Sequence, residues 1–382
     1  MFLRESQRMI ALAVAGQKRA LQRVAHEIYP SLVGRHRMAP ALAIQAHASW
    51  ISGPSVDKWR RGLLLSMARW LCLREEIKRV GETLGREGVT WIPLKGNDLA
   101  TRVYDHPEER PVSDLDILIA GSDYFKARAA LEAEGWAGLY PGTRFDRFIL
   151  EEWHHWVARN QRGFVLELHI RLWNLVPPGL EAELIEKAGP DPTLGPGGRR
   201  IRLSHAFVVA GVQAQINHTP RPLLSWWDLV RIAQRTGKTL APEVVELARR
   251  WEVQLPVSLA AATAAELWQN DACREIASDL AHDMRLPELV AQRRALQGGI
   301  DALSRRDLAL ARLLSFRGRR GGLGGLRRMV WPHPGVVERD TPWNWPWAKR
   351  RIFHTLWKLG LAKPGRFTPP GGQVPARPGP MD

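Results

Sequence analysis

The stretch PLKGNDLATRVYDHPEERPVSDLDILIA, residues 93–120, decides the fold of this chain. Lys95 and Gly96 lie near its start, at the end of a short apolar segment, and Asp114 and Asp116 lie at the start of the next apolar run. Because residues i and i+2 of a strand face the same side of a sheet, the two aspartates direct their carboxylates to one place. Two like charges that close are costly unless a cation lies between them. The stretch therefore predicts a strand that carries an anionic site.

Mg²⁺ is the cation that best fits this pair of aspartates. It takes hard oxygen ligands and usually binds through one or two carboxylates together with substrate phosphates. Lys95 adds a positive charge for phosphate, and Gly96 allows close approach of an anion to the start of the following helix. Arg110 can pair in a bidentate manner with phosphate or with the aspartates. The alternative is a solvated pair of aspartates, which is common at strand starts.

A third carboxylate follows in VLELHI, residues 165–170, where Glu167 and His169 share one strand face. If this strand neighbours the strand of Asp114 and Asp116, Glu167 reaches the same site. It can then ligate a metal ion or take the proton from an attacking hydroxyl. His169 can orient the acceptor or form a hydrogen bond with Glu167. The alternatives are a surface glutamate and a buried, hydrogen-bonded histidine.

The elements around these residues predict an α+β fold, with a small mixed sheet, flanking helices, and helical regions at both ends of the chain. Between residues 88 and 173 we expect strand, helix, strand, helix and hairpin, with Asn97 as the N-cap of the first of these helices. The second helix is expected to have Ser122 or Asp123 as its N-cap and Gly135 as its stop. A long amphipathic helix precedes them, with Leu64, Met67, Leu71 and Ile77 near helical spacing.

Pro- and Gly-rich breaks divide the chain into five expected segments. They are an N-terminal helical region (1–87), an α/β core (88–176), a helical domain (199–316), a basic aromatic segment (317–362) and a disordered tail (363–382). Within the fourth segment, residues 343–359 place apolar and basic side chains on one helix, which suits RNA, an anionic membrane, or packing on the protein's own core. Trp226 and Trp227 are expected in the core.

Composition excludes several classes of protein. The 382 residues are 45% hydrophobic and include 17 tryptophans, which predicts a buried core and argues against a mainly disordered chain. Two distant cysteines argue against a disulfide framework, so we expect a cytoplasmic location. No run reaches the ~18 apolar residues of a membrane span, and the first residues predict a soluble helix. The net charge of +16 favours phosphate-bearing partners, although arginine content set by genome composition explains it equally well.

His154 and His155 are neighbours, so on a strand their side chains are expected to point to opposite faces. We interpret one as a core residue and the other as a surface residue, and not as joint ligands of one metal ion. A zinc hydrolase built on His154, Glu167 and His169 is a weaker alternative.

The combined pattern resembles the uncharacterised nucleotidyltransferase family, which belongs to the DNA polymerase beta-like nucleotidyltransferase superfamily. The resemblance covers residues 64–173 and rests on PLKG, LATRVY, ERPVSDLDILI, ALEAEGW and LELHIRLW. It extends more weakly through SWWDLVRIAQ, where Asp228 takes the place of the aspartate in the family's Trp-x-Asp segment.

The resemblance implies a nucleotidyltransferase-type fold and a magnesium-dependent reaction. A nucleoside monophosphate would move from a nucleoside triphosphate, ATP among the candidates, to an acceptor hydroxyl. Two Mg²⁺ ions would stabilise charge while the hydroxyl attacks the α-phosphorus and pyrophosphate leaves. The implied catalytic and metal-binding residues are Asp114, Asp116 and Glu167, the implied nucleotide-binding residues are Lys95, Gly96, Asn97, Arg110 and Ser113, and His169 is an acceptor-side or supporting residue.

One departure from the superfamily favours a second hypothesis. The phosphate turn usually reads Gly-Ser, whereas this chain has Gly96 and Asn97, so the phosphate-contacting hydroxyl is missing. The alternative is a non-catalytic module of the same fold that binds nucleotide, or nucleic acid through the basic C-terminal region. The acceptor stays open between a small molecule, an RNA end and a protein side chain. Catalysis requires the three carboxylates to converge, and a lysine or arginine in the place of the cations would remove the case for it.

Overall fold

The computed structural model describes residues 5–27, 30–139, 146, 149–150, 154–173, 180–216 and 222–284. The chain begins with helices, as its sequence pattern predicts. They are α1 (Glu5–Val14), α2 (Lys18–Glu27), α3 (Pro30–Arg35), α4 (Ala39–Ala48) and α5 (Pro54–Arg86).

The long helix α5 is confirmed, but it buries a different face from its most apolar one. Leu64, Met67 and Leu71 are 64%, 43% and 45% exposed. The buried face carries apolar residues such as Trp59 and Leu73 together with Ser66, whose Oγ donates a hydrogen bond to the Glu108 carbonyl at 2.7 Å. The same side of the helix carries Arg69, which donates to backbone carbonyls of the segment before the candidate site.

A five-stranded mixed sheet forms the centre of the fold. Its strands are β1 (Trp91–Pro93), β2 (Leu115–Ile119), β3 (Ala137–Gly138), β4 (His155–Arg159) and β5 (Val165–His169), in the order β1-β2-β5-β4-β3. Strand β2 runs parallel to β5, and the other neighbouring strands are antiparallel. Helix α6 (Lys95–Arg102) joins β1 to β2, and α7 (Tyr124–Ala133) joins β2 to β3. The α+β prediction is therefore confirmed.

The two faces of the sheet differ because side chains alternate along each strand. On one face, Ile117, Leu166 and Leu168 join Trp156 and side chains of α5 and α7 in one apolar cluster. The intervening residues of β2 and β5 face the other side, and they include Asp116, Glu167 and His169. One face therefore supplies packing, and the other presents ionisable groups.

Helices return after the sheet and complete a second apolar cluster. They are α8 (Leu180–Lys187), α9 (Leu203–Ile216), α10 (Leu224–Thr236), α11 (Leu240–Arg250), α12 (Gln254–Trp268) and α13 (Asp271–His282), with a small ribbon of β6 (Gly189–Pro190) and β7 (Arg199–Arg200) after α8. This cluster contains residues of α1, α2 and α4 together with residues of α9 to α13. Trp226 and Trp227 are 0% and 4% exposed, which confirms their place in the core.

One expected helix start needs correction, and another is confirmed. Helix α6 begins at Lys95 with Leu94 as its N-cap, so Asn97 lies inside the helix and is not the cap. Helix α7 begins at Tyr124 with Asp123 as its N-cap residue, as expected, although Asp123 forms no side-chain capping hydrogen bond. The hairpin turn at residues 160–163 is confirmed: Gly163 adopts a left-handed φ of 83°, and its N–H donates to the Asn160 carbonyl.

Several predictions lie beyond what the structure tests. The basic aromatic segment and the tail fall outside the described residues, and the five segment boundaries stay predictions. Within the described part of the chain, no helix is both long enough and apolar enough to cross a membrane.

Candidate active site

The site forms where β2 and β5 lie side by side. Asp116 and Glu167 are direct partners in the parallel register, so their side chains leave the same face of the sheet. Asp116 is buried, whereas the Glu167 side chain is 24% exposed. The expectation that the strand of Glu167 neighbours the strand of the aspartates is therefore met by the fold.

His169 connects the two carboxylates. Its Nε2 lies 3.1 Å from Asp116 Oδ1 and 3.3 Å from Glu167 Oε2. Burial and the charge of Lys95 lower the pKa of His169, but its hydrogen bonds with Asp116 and Glu167 outweigh them, so the pKa is raised. The donor atoms of these three residues lie within 4.8 Å of one another, a spacing that suits a shared metal ion.

The ammonium of Lys95 occupies the space between the carboxylates. Its Nζ pairs with Asp116 Oδ1 and lies 3.3 Å from Glu167 Oε2. Burial lowers the pKa of Lys95, but the charges of Asp116 and Glu167 more than offset it and raise the pKa. The same contacts act on Glu167, where burial raises the pKa while His169 and Lys95 bring it far below its ordinary range. A lysine therefore lies in the place that the sequence analysis assigns to the cations.

Asp114 lies just before β2 and is held differently from Asp116. Ser113 Oγ donates to its carboxylate at 3.0 Å, and Asn97 Nδ2 donates to its backbone carbonyl at 2.9 Å. Burial, followed by the charges of Asp116 and Glu167, raises the pKa of Asp114 to about 6. Among the described residues, Asp114 belongs to neither group of three donors that lie within 4.8 Å of one another. The three predicted carboxylates thus interact electrostatically, but only Asp116 and Glu167 belong to a group of donors within 4.8 Å of one another.

Arg110 is directed away from the aspartates, towards α10. Its Nε and Nη2 donate to the two carboxylate oxygens of Asp228 at 2.8 and 2.7 Å, and Tyr104 Oη donates to Asp228 at 2.7 Å. The guanidinium also packs on Gly96, where an added Cβ would lie 2.2 Å from Nη1. Gly96 therefore leaves room for a guanidinium at the start of α6. The sequence analysis expected it to leave room for a phosphate instead.

Two further arginines, Arg37 and Arg69, reach this region from the N-terminal helices. Arg69 donates from Nε to the Val112 carbonyl at 3.0 Å and from Nη2 to the Ser113 carbonyl. Arg37 lies close enough to Asp114, Arg110 and Arg69 for their charges to act on its pKa. Sequence reasoning missed both, because a single arginine on a polar helix face or in a turn carries no local signal. Arg37 does adopt a left-handed φ of 56°, but only coordinates reveal that.

The expectation that His154 and His155 point to opposite faces is wrong. Their ring centroids lie 4.0 Å apart, and they lie 5.7 and 5.0 Å from the ring of His169. His154 precedes the first residue of β4, so the alternation of a strand does not extend to it. Burial lowers the pKa of His155 well below its ordinary value, and the neighbouring histidines add to this effect.

The donor set fits one divalent cation if Lys95 leaves. Asp116 and Glu167 offer hard oxygen atoms, and Asp114 adds a third negative charge nearby. Burial and then the charges of Asp116 and Glu167 raise the pKa of Asp114, so a further positive charge at this place would be favourable. The residues present therefore suit Mg²⁺, while the expected number of two ions stays a prediction.

Comparison with known proteins agrees with this geometry. No curated protein matches the chain. The sequence profile described as "uncharacterised nucleotidyltransferase" matches residues 26–269, which include every residue of the candidate site. That match covers more than half of the chain, and it extends beyond the sheet to Arg37 and Asp228. The chain belongs to the uncharacterised nucleotidyltransferase family.

Proposed function

We propose that the protein transfers a nucleoside monophosphate from a nucleoside triphosphate to an acceptor hydroxyl with the help of Mg²⁺. Family membership supports nucleotidyl transfer in general. The observation that carries the specific proposal is the pairing of Asp116 with Glu167 across β2 and β5, which brings two carboxylates and His169 within 4.8 Å of one another. Carboxylates held this close repel each other, and a bound cation offsets that repulsion.

Each residue of the site has a role in this proposal. Asp116 and Glu167 hold the cation, and Asp114 completes the negative field around it. When bound, Mg²⁺ supplies positive charge against the phosphates and the leaving pyrophosphate. His169 fixes the two carboxylates through Nε2.

Lys95 changes partners during binding. Its side chain is 24% exposed, as is that of Glu167, so the ammonium can swing towards solvent without opening the core. A lysine in the cation site would exclude a metal ion only if its ammonium could not move. The four-carbon stem of lysine is flexible, so the ammonium of Lys95 can leave the site. With a nucleotide bound, Lys95 would exchange the carboxylates for a phosphate near the start of α6, where the first N–H groups of the helix have no partners within it.

A second function is favoured by the same lysine. If the ammonium stays between Asp116 and Glu167, it acts as a permanent counterion in place of the metal. The missing serine at Asn97 points in the same direction. The protein would then bind nucleotide or nucleic acid without transferring anything.

Label transfer distinguishes the two functions. The full chain is incubated with Mg²⁺, a cell extract as the source of acceptor, and each nucleoside triphosphate labelled at the α-phosphorus. We expect label to reach an acceptor, with a loss of at least ~100-fold in Asp116→Asn and Glu167→Gln. Asp105→Asn is the matched control, because that carboxylate is 74% exposed and pairs with Arg231 outside the site.

Chelation gives the complementary result. Removal of Mg²⁺ should stop transfer by the wild-type protein, and its return should restore transfer. Nucleotide binding without transfer, equal in wild type and Asp116→Asn, would establish the binding module instead.

A further inference from the structure

A second group of donors shares His169 with the carboxylates. It consists of His154, His155 and His169, called the histidine cluster below. One ring nitrogen from each residue lies within 4.8 Å of the other two. The two groups therefore share one imidazole, that of His169.

Backbone pairing fixes the three imidazoles. His155 and His169 are direct partners in the antiparallel register of β4 and β5, so their side chains leave the same face of the sheet. The His154 carbonyl accepts hydrogen bonds from the N–H groups of Ile170 and Arg171 at 2.9 and 3.2 Å. These bonds continue the pairing just beyond β4 and hold His154 beside the end of β5.

The second observation concerns the ring of His169. Its side chain is 1% exposed, and its Nδ1 is buried without a hydrogen-bond partner. Its Nε2 is already engaged by Asp116 and Glu167. A buried nitrogen without a partner costs free energy, and Nδ1 is the atom that this ring has left for the histidine cluster.

The hydrogen bonding of His169 is also that of a metal ligand. Histidines that ligate metal ions almost always donate their other ring N–H to a carboxylate, a backbone carbonyl or a water. Here two carboxylates lie within 3.3 Å of Nε2. They set the tautomer that leaves the Nδ1 lone pair available for a metal ion.

We propose that the histidine cluster binds one divalent transition-metal ion of the class that imidazole prefers, with Zn²⁺ as its representative. Three imidazoles leave a fourth position open to water or a substrate. The ammonium of Lys95 opposes the charge of the ion, and Asp116 and Glu167 favour it. Bound metal would lock the ring of His169 and thereby hold both carboxylates in place.

The test uses Zn²⁺ alone, without nucleotide. Full-length protein is stripped with chelator and dialysed against Zn²⁺, and bound metal is counted by mass spectrometry. We expect one Zn²⁺ per chain in the wild type. In His154→Ala and His155→Ala the affinity should fall by more than the roughly 10–100-fold that loss of an outer-shell partner costs. His106→Ala, whose side chain is 60% exposed and lies outside the cluster, should leave binding unchanged.

A second measurement guards against loss of fold. Circular dichroism must show that His154→Gln and His155→Asn keep the helical signal of the wild type. Co²⁺ should give the intense visible absorption of a tetrahedral site in the wild type, and that absorption should be lost in both variants. Retention of Zn²⁺ by the folded variants, or absence of Zn²⁺ from the wild type, would overturn the proposal.

The outcome is separable from that of nucleotidyl transfer. Asp114→Asn removes a predicted magnesium ligand that belongs to neither group of donors, so its Zn²⁺ binding should equal that of the wild type. If Zn²⁺ is lost in Asp114→Asn but kept in His154→Ala, the ion lies among the carboxylates and the histidine proposal fails.

Discussion

Two buried ionic groups flank the start of α6, and they differ in charge balance. Arg110 and Asp228 form a closed pair, in which one guanidinium meets both oxygens of one carboxylate and Tyr104 adds a third contact. Their side chains are only 11% and 5% exposed. The other group sets Lys95 against three carboxylates, and part of it faces solvent.

This difference in charge balance suggests a structural role for one group and a binding role for the other. A closed pair with every contact satisfied has no capacity for a further ion, and its loss leaves an uncompensated charge in the core. An unbalanced and partly exposed group can accept a cation without breaking the fold. The first group therefore joins the sheet region to α10, and the second is the group in which we propose that a cation binds.

The largest expected effect comes from breaking the closed pair. Asp228→Ala leaves Arg110 buried and unpaired, so we expect a loss of about 3–5 kcal/mol in the free energy of unfolding. Denaturant titration followed by circular dichroism measures it. Asp105→Ala breaks an exposed pair with Arg231 and should cost less than about 1 kcal/mol. Equal effects of the two substitutions would show that the Arg110–Asp228 pair is not a structural joint.

The second prediction concerns the glycine beneath the guanidinium. Gly96→Ala places a Cβ 2.2 Å from Arg110 Nη1, and the guanidinium cannot yield while Asp228 holds it. We expect a destabilisation of about 1–3 kcal/mol, measured by the same titration. Gly121→Ala is the control, because no atom lies within 4 Å of its added Cβ.

A double-mutant cycle sharpens this result. In an Asp228→Ala background the guanidinium is free to move, so Gly96→Ala should cost less than it does in the wild type. An unchanged cost would mean that Val112, whose Cγ2 lies 3.2 Å from the added Cβ, is the real obstacle.

How much of this could be predicted from sequence depends on the range of the interaction. Alternation along β2 and β5 explains why Asp116, Glu167 and His169 lie on one face of the sheet. The family resemblance implied that these two strands belong to one sheet. The partner of Arg110 could not be predicted, because Asp228 lies 118 residues away and five carboxylates within six residues of Arg110 compete for the same guanidinium. The position of Lys95 depends on the rotamers of a flexible stem, which sequence does not determine.

Two other predictions from the sequence were wrong for different reasons. The rule that neighbouring residues point to opposite faces holds within a strand, and His154 lies one residue before β4 begins. Hydrophobic periodicity identified α5 but not its buried face, because Ser66 and Arg69 bond to the segment before β2 and turn that side inwards. For α5 the periodicity was correct, but the sequence does not reveal the contacts with residues 108 and 112.

The third prediction tests the charge imbalance through pH. Asp114 has a folded pKa of about 6, above its ordinary value of 3.8, so the folded state binds its proton more tightly than the unfolded state. Its contribution to stability is complete below about pH 4 and is lost as pH rises through 6. Asp114→Asn stays neutral, so it should gain about 2 kcal/mol over the wild type at pH 7 and little at pH 4.

Denaturant titrations of wild type and Asp114→Asn between pH 4 and pH 7 measure this difference in stability. Asp105, an exposed aspartate whose pKa is lowered, is the control with the opposite dependence on pH. The hydrogen bond from Arg231 lowers the pKa of Asp105, so Asp105→Asn should lose stability, if any, as pH rises. If Asp114→Asn shows no gain at pH 7, the three carboxylates are already balanced and the argument for a missing cation fails.

The smallest expected effect separates a displaceable lysine from a permanent counterion. Lys95→Met removes the ammonium that competes with Mg²⁺ for Asp116 and Glu167, so Mg²⁺ affinity without nucleotide should rise about tenfold, which equals about 1.4 kcal/mol. Calorimetric titration measures it, and Lys126→Met, which removes an exposed ammonium beside Asp123, is the control. Nucleotide affinity should fall in the same variant, because the phosphate loses a cation. An unchanged Mg²⁺ affinity would mean that Lys95 and the metal ion do not share a site. The Lys95 group and the Arg110–Asp228 pair would then differ only in their exposure to solvent.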